Sequence, residues 1–522
     1  MELKNIIMQQ HRRSYGPALD IAFSTDKSNV SRTGPNPVHS RASSGTFVNQ
    51  NGRIVGKTRS TTSLNPARVP VGGVAVFEVP SGSVVGWLNN SVVVVMEDTD
   101  GDDQIGAQRH ITGTLIHKTD TAITLLVTSK VGTTTLSSWS VSYRGLRVDH
   151  DPITGLCLGA LIEISKTNIV EMSESFDNTS VWTQVRLVSQ PVANTDIAPD
   201  GSLTAEKFIP SNTLDNHRID DPTIGIVSGS SYTVSAFVKA AGYTGFGIHV
   251  GSSPVPSATF SLTGSGSVTS TATGWSARIY PYRDGWYRCC ATFTATTANR
   301  LYLFVGQTGT TFTYAGDTTS GIVVWGAQCE LSRESSYIPN YRLGSVIRST
   351  DIYNISGTAF SRIWNTRGGT FVFEGLLSSG LSINQYILSS GGNRRWLYGN
   401  NPGANNNTEA LVAFDGASTP TYFTNVRIST RFKIAISVES ITCSASLNGS
   451  TITTINHNGN LLNSVTLLEF IANSLGIVTR VKYYSKNLPN TSLQALTTTT
   501  SEPITYNGVA IQYNGVGLLE TS

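Results

Sequence analysis

Three aspartates alternate in the stretch EDTDGDD, at Asp98, Asp100 and Asp102. An oxygen-rich loop of this kind can hold Ca²⁺, which takes about six to eight oxygen ligands. The order of an EF-hand is absent, because Gly101 comes too early and no glutamate follows at the twelfth position. The stretch is therefore a candidate Ca²⁺ site. The alternative, which we favour, is a solvated turn between two strands.

A histidine and two aspartates lie close together in LDNHRIDDPTIG, at His217, Asp220 and Asp221. A histidine with two acids can serve a hydrolase, but this stretch contains no nucleophile motif such as GxSxG. Asp221-Pro222 is a common turn dipeptide. The stretch therefore predicts a polar turn.

Ionisable residues also cluster in VDHDPITGLCLGALIEISKTNIV, at Asp149, His150, Asp151 and Glu163. They either form a catalytic or metal constellation or belong to a connector between two structural modules. Chemistry would require these side chains to converge with a nucleophile or with further ligands, and the stretch offers neither. We expect a connector, in which the turn beginning at Asp151 and ending at Gly155 resets the chain direction.

The acids of the chain do not form an evident glycosidase pair. Glycosidic cleavage needs two carboxyl groups about 5–10 Å apart across a groove. Glu374, in TFVFEG, lies on the strand face opposite Phe371 and Phe373, and no second acid recurs near it. Pairing of Glu374 with an acid that is distant in sequence stays open, but the pattern indicates a surface residue whose carboxylate already has hydrogen-bond partners. We predict no catalytic residue, no enzymatic activity and no cofactor.

The stretch GGNRRWLYGNNPGANNNTEA (391–410) sets Trp396 and Tyr398 among arginines and asparagines. Aromatic faces stack on sugar rings, while amides and guanidinium groups hydrogen-bond to hydroxyls. We therefore predict a glycan-binding loop, and the alternative is that Trp396 closes the end of a sandwich. The polar members of the predicted site are Arg394, Arg395, Asn400 and Asn401.

Other aromatic residues present the same choice between glycan binding and packing. These residues are Trp275, Tyr280 and Tyr282. Aromatic side chains usually serve the core, so we favour packing for them.

The composition limits the fold and function classes. Of the 522 residues, 39% are hydrophobic and only 14% are charged, and 49 are glycines. Short apolar segments separated by Gly, Ser and Thr are typical of an all-β protein with many turns. The net charge is +3 without a long basic run, which argues against a nucleic-acid partner. No apolar stretch approaches the roughly 20 residues of a membrane span, so we expect no membrane insertion.

The cysteines show no metal-binding spacing. They are Cys157, Cys289, Cys290, Cys329 and Cys443. Their number is odd and no CxxC occurs, so we expect buried free thiols in a reducing compartment.

Strand patterns indicate how the chain is organised. Asn51-Gly52 marks a hairpin, and alternation in segments such as AITLLVT predicts a small barrel within 67–143. SYTVSAFVK alternates, and RLYLFVG is apolar on both faces, as central strands of a sandwich are. A short helix is expected after Pro489. We therefore predict an all-β fold of tandem β-sandwiches (jelly rolls) with a small inserted β-barrel near the N-terminus.

These patterns divide the chain into five predicted parts. They are an N-terminal module formed by 1–66 and 144–170, an inserted barrel at 67–143, a sandwich at 171–344, a second sandwich at 345–497, and a tail at 498–522. The tail repeats Tyr-Asn-Gly-Val at Tyr506 and Tyr513. The spacing of seven residues places the two tyrosines on opposite faces of an extended strand, unless a turn at each Asn-Gly resets the register.

The order of several segments points to a protein family. RASSGTFVNQNGRI is followed later by the VDHDPITG stretch, and this order resembles the opening module of bacteriophage tail-fibre and other virion fibre-type proteins. The matching positions are Arg41, Ala42, Ser43, Thr46, Phe47, Val48, Gly52, Asp151, Pro152, Thr154, Gly155, Gly159, Leu161, Ile162, Glu163, Thr167 and Asn168.

Two later regions extend the resemblance to roughly 17–497. SESFDNTSVWTQ, APDGSLTAEKF, VVWGAQCELS and SSYIPN are similar to the carbohydrate-binding-like jelly roll of those proteins. LGIVTRVKYYSKNLPNTSLQALT resembles the closing strand and short helix of a concanavalin/laminin-G-like sandwich.

The resemblance implies a structural virion protein. The function that it implies first is a tail fibre that attaches the particle to a host cell-surface polysaccharide without cleaving it. It also implies a homotrimer, made in the host cytoplasm, whose N-terminal module joins other virion proteins such as an adaptor or baseplate. The alternatives are a capsid decoration or head-fibre protein, and a glycan-degrading tailspike, for which no β-helix repeat is present.

Overall fold

The fold is given by a computed structural model. The described residues are 17–22, 31–41, 45–60, 71–79, 81, 83–97, 110–131, 139–222, 224–297, 299–377, 385–389, 395–399, 410–414, 421–423, 431–439, 441–456, 465–472 and 475–498, with short strands beyond 501. Nearly all of their regular structure is strand, arranged in several antiparallel sheets. The predicted all-β class is confirmed.

The chain folds into two compact units, each assembled from separate stretches of sequence. The first unit comprises 1–40, 157–164 and 351–522, and the second comprises 41–156 and 165–350.

The strands are numbered in chain order. The first group consists of β1 (Leu19–Ala22), β2 (Val38–Ser40), β3 (Phe47–Val48), β4 (Ile54–Val55), β5 (Lys57–Ser60), β6 (Val74–Glu78), β7 (Val92–Glu97), β8 (His110–Lys118), β9 (Ala122–Val131), β10 (Trp139–Tyr143), β11 (Arg147–His150), β12 (Cys157–Glu163) and β13 (Lys166–Asn168). The second group consists of β14 (Thr183–Val185), β15 (Val192–Asp196), β16 (Ala205–Phe208), β17 (His217–Asp221), β18 (Ser231–Ala241), β19 (Gly245–Gly251), β20 (Ala258–Ser261), β21 (Ser267–Thr271), β22 (Ser276–Pro281), β23 (Trp286–Thr294), β24 (Arg300–Gly306), β25 (Gly321–Leu331) and β26 (Val346–Arg348).

The remaining strands follow residue 350, and the helical elements are given after them. The strands are β27 (Ile352–Ser356), β28 (Gly369–Leu377), β29 (Gln385–Ser389), β30 (Arg395–Gly399), β31 (Ala410–Phe414), β32 (Thr421–Phe423), β33 (Phe432–Val438), β34 (Thr442–Leu447), β35 (Thr453–Asn456), β36 (Leu467–Ala472), β37 (Leu475–Tyr484), β38 (Glu502–Pro503), β39 (Thr505–Tyr506), β40 (Val509–Ala510), β41 (Gln512–Tyr513), β42 (Val516–Gly517) and β43 (Leu519–Glu520). The helices are a 3-10 turn (Arg283–Gly285), α1 (Gly357–Ser361) and α2 (Asn490–Thr497).

The second unit contains a β-sandwich of two antiparallel sheets. The β17 sheet has the order β14-β17-β24-β19-β20-β21, and the β18 sheet has the order β15-β16-β25-β18-β23-β22. Alternate residues of the central strands face a shared apolar core, which includes Val234 and Val238 of β18 and Leu301 and Leu303 of β24. Burial of this surface is the main force that holds the two sheets together.

A further sheet of the second unit precedes the sandwich. Its order is β5-β10-β7-β8-β9-β6, so five of its six strands come from the predicted insert at 67–143 and β5 precedes that range. The consecutive residues Val93, Val94 and Val95 of β7, and Leu115 of β8, are fully buried. Closure of this sheet into a barrel stays a prediction, as do the bounds of the five parts.

The first unit contains two other antiparallel sheets. One follows the order β12-β37-β28-β33-β34-β35, with β1 also paired to β37, and the other follows β2-β27-β36-β29-β30-β31-β32. Helix α2 packs against the first of these sheets through Leu493, which forms one buried apolar cluster with Val372, Ala435 and Tyr484. Strands β1, β2 and β12 therefore complete sheets whose other strands lie within the predicted sandwich at 345–497.

The Asp151 turn is held by its own side chain. Asp151 Oδ1 accepts hydrogen bonds from the backbone N–H groups of Ile153 at 3.0 Å and Thr154 at 2.7 Å. Gly155 has a φ of +72°, and a Cβ there would lie 2.4 Å from the carbonyl oxygen of Gln50. The glycine therefore permits both the backbone conformation and the close approach.

The neighbouring acids and the histidine also contact the backbone. Asp149 Oδ1 accepts a hydrogen bond from the N–H of Val48 at 2.7 Å, and His150 Nδ1 lies 3.1 Å from the carbonyl oxygen of Val48. Within the first unit, the N–H of Glu163 donates to Asp351 Oδ2 at 2.9 Å. These contacts position strands, as a connector requires.

Two local predictions are confirmed, and the alternative left open for the tail is decided in favour of turns. Strands β3 and β4 pair antiparallel on either side of Asn51-Gly52. A short helix, α2, follows Pro489. In the tail, Tyr506 pairs with Val509 and Tyr513 pairs with Val516, so each Tyr-Asn-Gly-Val copy has its own strand pair.

Three other local predictions are wrong. His217–Asp221 is strand β17 rather than a polar turn, because Ile219 enters the core while its neighbours pair with β24. Within the predicted loop 391–410, Arg395–Gly399 is strand β30, paired with β29 and β31. Glu374 is only 3% exposed rather than on the surface, because β28 lies between β33 and β37; its carboxylate lies 3.9 Å from Arg431.

The prediction of buried free thiols is confirmed for four of the five cysteines. None of the five forms a disulfide, and all except Cys157 are buried. Burial raises the pKa of the Cys290 thiol to about 12. Such thiols stay protonated and unreactive near neutral pH.

Candidate functional site

The outer face of the β18 sheet is covered by the segment that follows β25. The Tyr337 ring packs on Phe237 and Trp325, with ring centres 5.9 Å and 4.6 Å apart. Arg288 Nη1 donates to the carbonyl oxygen of Ser335 at 2.8 Å. The central part of this face is therefore a second small core, covered by the chain itself.

The aromatic residues that sequence analysis assigned to packing do have internal partners. The Trp275 ring stacks on Phe293 with centres 4.6 Å apart. The Tyr280 hydroxyl donates to Glu334 Oε1 at 2.9 Å. Tyr282 meets the ring of Phe237 edge-on at 5.2 Å. These contacts favour packing for all three residues.

The outer face of the β17 sheet carries polar residues from three neighbouring strands. Ile219 faces the core, so Arg218 and Asp220 face the opposite side. The strand register places Tyr302 beside Asp220 on one side and beside His249 on the other. We call this set the arginine face, which consists of Arg218, Asp220, His249, Arg300 and Tyr302.

Asp220 is the centre of the arginine face. Its Oδ1 lies 2.9 Å from Arg218 Nε, and its Oδ2 lies 3.5 Å from Arg300 Nη1. Burial raises the pKa of Asp220, and the two guanidinium groups partly offset that effect by stabilising the carboxylate. The side chain of Asp220 is 1% exposed, whereas that of Arg300 is 43% exposed. Asp220 thus lies at the buried floor of the arginine face, and Arg300 lies at its exposed rim.

Arg218 is fixed from several directions. Its Nη1 donates to Asn216 Oδ1, and its guanidinium carbon lies 5.5 Å from the centre of the Tyr302 ring. A guanidinium that contacts an aromatic face and a carboxylate together loses little further freedom when it binds a ligand.

His249 completes the face as an uncharged polar group. Burial lowers its pKa, so the ring is neutral near pH 7. Its Nδ1 lies 2.7 Å from Ser257 Oγ, and its ring centre lies 5.6 Å from that of Tyr302. Nε2 is buried without a hydrogen-bond partner among the described residues.

The chemistry of the arginine face suits recognition. Guanidinium N–H groups bind hydroxyls and carboxylates with fixed geometry. The carboxylate of the face is held by two arginines, so it is poorly placed to act as a nucleophile or a proton acceptor. The arrangement therefore favours binding over bond cleavage.

The residues predicted to bind glycans fall partly within the described chain. Arg395, Trp396 and Tyr398 lie on strand β30. Arg394, Asn400 and Asn401 lie outside the described residues, so the predicted site stays a prediction.

The predicted metal ligands Asp98, Asp100 and Asp102 also lie outside the described residues. Among the residues that the structure does describe, no group of three or more His, Cys, Asp or Glu could hold a metal ion. In the same part of the chain, no helix is both long and apolar enough to cross a membrane.

The other two residues of the His217 group lie away from the arginine face. His217 Nδ1 lies 2.6 Å from the carbonyl oxygen of Arg186, and Nε2 lies 2.9 Å from that of Tyr314. His217 thus ties two neighbouring segments to β17. Asp221 is also buried. Only Asp220 of this group belongs to the arginine face.

Sequence reasoning missed Arg218, His249, Arg300 and Tyr302. A signal was present, because Arg300 and Tyr302 alternate with Leu301 and Leu303 in RLYLFVG. Alternation indicates which residues share a face, but it does not show which strands are neighbours.

No protein-family model matches the chain. No curated protein matches it either.

Several solved structures share a weak likeness with the chain. A Ruminococcus gnavus IT-sialidase CBM40 bound to α2,3-sialyllactose is 16% identical, with a TM-score of 0.23 over 28% of this chain and 91% of its own. The CBM22-1–CBM22-2 tandem domain of Paenibacillus barcinonensis Xyn10C is 8% identical, with a TM-score of 0.20 over 64% and 92%. Trypanosoma rangeli sialidase in complex with sialic acid is 10% identical, with a TM-score of 0.21 over 88% and 98%.

Proposed function

We propose that the chain is a non-enzymatic virion protein of a bacteriophage, a tail fibre that attaches the particle to a host cell-surface glycan through the arginine face. The order of the N-terminal segments supports the fibre part of this proposal. The composition of the arginine face supports the glycan part.

The observation that carries the proposal is the contrast between the two outer faces of one sandwich. The β18 sheet is covered by its own chain through Tyr337 and Ser335. On the β17 sheet, Arg300 is 43% exposed above Asp220. The Tyr302 ring is only 4% exposed, so it supports Arg218 from below, and the exposed group that can meet sugar hydroxyls is the guanidinium of Arg300.

The test is binding of the full chain to a panel of immobilised polysaccharides, measured by biolayer interferometry. Arg300→Ala is the informative variant, because Arg300 is at the rim and its loss should leave the core intact. We expect binding to at least one polysaccharide and a loss of about tenfold or more in the variant. Single contacts are weak, so affinity should depend strongly on ligand density.

A matched control removes one positive charge from the other sheet. Lys207 lies in β16, and its Nζ donates to the carbonyl oxygen of Thr319 at 2.9 Å. Lys207→Ala should bind as the natural chain does. Equal binding by the natural chain, Arg300→Ala and Lys207→Ala would exclude the arginine face as the glycan site.

A second site on β30 is proposed for Trp396 and Tyr398, with Arg394, Arg395, Asn400 and Asn401. It rests on an aromatic pair within an amide-rich stretch. Trp396→Ala should lower adsorption to host cells while the circular dichroism spectrum stays unchanged. A variant that folds normally and adsorbs as well as the natural chain would eliminate this site.

The virion role needs its own tests. We propose a homotrimer that joins an adaptor or baseplate through its N-terminal module. Light scattering should give three times the chain mass of 55.8 kDa, and a stable monomer at micromolar concentration would contradict it. Immunolabelling of intact particles separates a tail position from the capsid position of a head fibre. Release of reducing ends from a host polysaccharide would favour the tailspike alternative.

A further inference from the structure

The arginine face carries more positive than negative charge. Arg218 and Arg300 contribute two guanidinium groups, and both contact the single carboxylate of Asp220. His249 adds no charge near neutral pH, since burial lowers its pKa. When Asp220 is ionised, the face retains one positive charge that its own residues do not balance.

The two arginines differ in how much of each guanidinium group is free. Arg218 uses Nε on Asp220 and Nη1 on Asn216, and its plane contacts Tyr302. Arg300 reaches Asp220 only at 3.5 Å, through one nitrogen. Arg300 therefore has a fork of N–H groups available to a ligand, beside an Arg218 that is already fixed.

Two acids of β17 and the segment before it are paired with arginines. Asp215, which is partly exposed, is paired with Arg186 at 2.7 Å between Oδ2 and Nη2. Asp220 is 1% exposed and is paired with both arginines, so an arriving anion does not contact its carboxylate. An anionic ligand thus meets the arginines first.

From this arrangement we infer that the arginine face takes a sugar that bears a carboxylate, such as a uronic or sialic acid residue of a surface polysaccharide. The inference rests on the proposed glycan binding and names its ligand class. A carboxylate has one negative charge and a planar pair of oxygens, which match the one surplus positive charge and the planar fork of Arg300. A phosphate monoester carries about two charges and would be left with one unbalanced.

The test compares polysaccharides that differ only in the carboxyl group. Polygalacturonate, alginate, hyaluronan and colominic acid are immobilised beside their carboxyl-reduced forms, and binding of the full chain is measured at about 0.15 M salt, where exposed charges are screened beyond roughly 8 Å. We expect at least one native polymer to bind about tenfold or more tightly than its reduced form. Arg300→Ala should lose that difference, Arg300→Lys should keep part of it, and Lys207→Ala should keep all of it.

The outcomes separate this inference from the proposed function. Equal binding to a native polymer and its reduced form would overturn the carboxylate assignment while leaving glycan binding in place. Tight binding to dextran sulfate, lost in Arg300→Ala, without binding to any carboxylated polymer would also overturn it. Binding to no polysaccharide of either kind would contradict the proposed function itself. Thermal unfolding of each variant shows that loss of binding is not loss of the fold.

Discussion

The guanidinium carbon of Arg218 lies 5.5 Å from the centre of the Tyr302 ring, on the outer face of the β17 sheet. The same guanidinium donates from Nε to Asp220 at 2.9 Å. The contact joins two strands, because Arg218 is in β17 and Tyr302 is in β24. It therefore contributes to the stability of the sheet as well as to the proposed binding site.

Replacing Arg218 by alanine should destabilise the sandwich. The carboxylate of Asp220, 1% exposed, would keep only the 3.5 Å contact with Arg300. Removing one partner of a buried ion pair costs about 3–5 kcal/mol, and the remaining arginine should reduce that to about 2–3 kcal/mol of the free energy of unfolding. Urea unfolding followed by tryptophan fluorescence measures this.

Asp220→Asn is the matched control for the Arg218 variant. It keeps the shape of the side chain, and its amide oxygen can still accept from Arg218, although that arginine loses its carboxylate partner. We therefore expect a smaller loss than for Arg218→Ala, of about 1–2 kcal/mol. A loss for Arg218→Ala within about 0.5 kcal/mol, the range of an ordinary surface change, would contradict the role given to this arginine.

Glu206 should make the sandwich less stable as the pH rises. Burial, and then the nearby charge of Asp177, raise the pKa of Glu206 to about 9 from its ordinary value of 4.5. Between these two values the folded chain keeps a proton that the unfolded chain releases. The contribution of Glu206 to the free energy of unfolding is therefore greatest below about pH 4.5. It falls by up to about 1.4 kcal/mol per pH unit as the pH rises toward 9.

Glu206→Gln tests this pH dependence. The amide is neutral at every pH and similar in size, so the fall in melting temperature between pH 5.5 and pH 8.5 should become smaller than in the natural chain. The variant should also be more stable than the natural chain at pH 8.5. If the melting temperature of the variant falls with pH as steeply as that of the natural chain, a group other than Glu206 causes the loss of stability at higher pH.

Gly155→Ala should disrupt the connector turn. The residue has a φ of +72°, and a Cβ would lie 2.4 Å from the carbonyl oxygen of Gln50. The left-handed conformation costs about 1–2 kcal/mol for a residue other than glycine, and the contact with backbone adds about 1–3 kcal/mol. We expect a loss of about 2–4 kcal/mol in the free energy of unfolding.

Gly274→Ala separates the two contributions. Gly274 has a φ of +81°, but a Cβ there would meet no heavy atom within 4 Å. It should therefore show only the conformational cost of about 1–2 kcal/mol. If both variants lose the same free energy of unfolding, the contact of the added Cβ with Gln50 contributes nothing to the loss.

A fragment comprising 345–498 should fold less stably alone than together with the strands that precede residue 164. Strand β37 pairs with both β1 and β12, and Asp20 of β1 binds Arg480 of β37 at 2.8 Å. Without β1 and β12, β37 would expose unpaired backbone groups and an edge that favours aggregation. Co-expression of the fragment with residues 1–170 should raise its soluble yield, measured by size-exclusion chromatography.

Sequence patterns predicted elements well where one face of a strand is apolar. SYTVSAFVK gave β18 because Tyr232, Val234, Ala236 and Val238 all enter one core. The strand at His217–Asp221 was missed because polar residues dominate it and only Ile219 marks the buried face. Local propensity is a weak guide when a single apolar residue carries the signal.

The arginine face was missed for a different reason. Asp220 and Arg300 are separated by 80 positions in sequence, and they meet because β17 pairs with β24. His249 joins them because β19 pairs with β24 on the other edge. Strand order is a property of the complete sheet, so no window of neighbouring residues contains it.

The pairing of Asp20 with Arg480 spans 460 positions of the chain, and this separation has a consequence during synthesis. A ribosome adds about 5–20 residues per second, so roughly 20 to 90 seconds pass between the appearance of β1 and that of its partner β37. Throughout this interval β1 lacks its partner, and β12 lacks the same partner from the time it is made, whereas the second unit is fully synthesised once residue 350 has emerged. The nascent chain must therefore carry unpaired, aggregation-prone strands beside a finished sandwich, a period in which binding by a chaperone would raise the yield of the native protein.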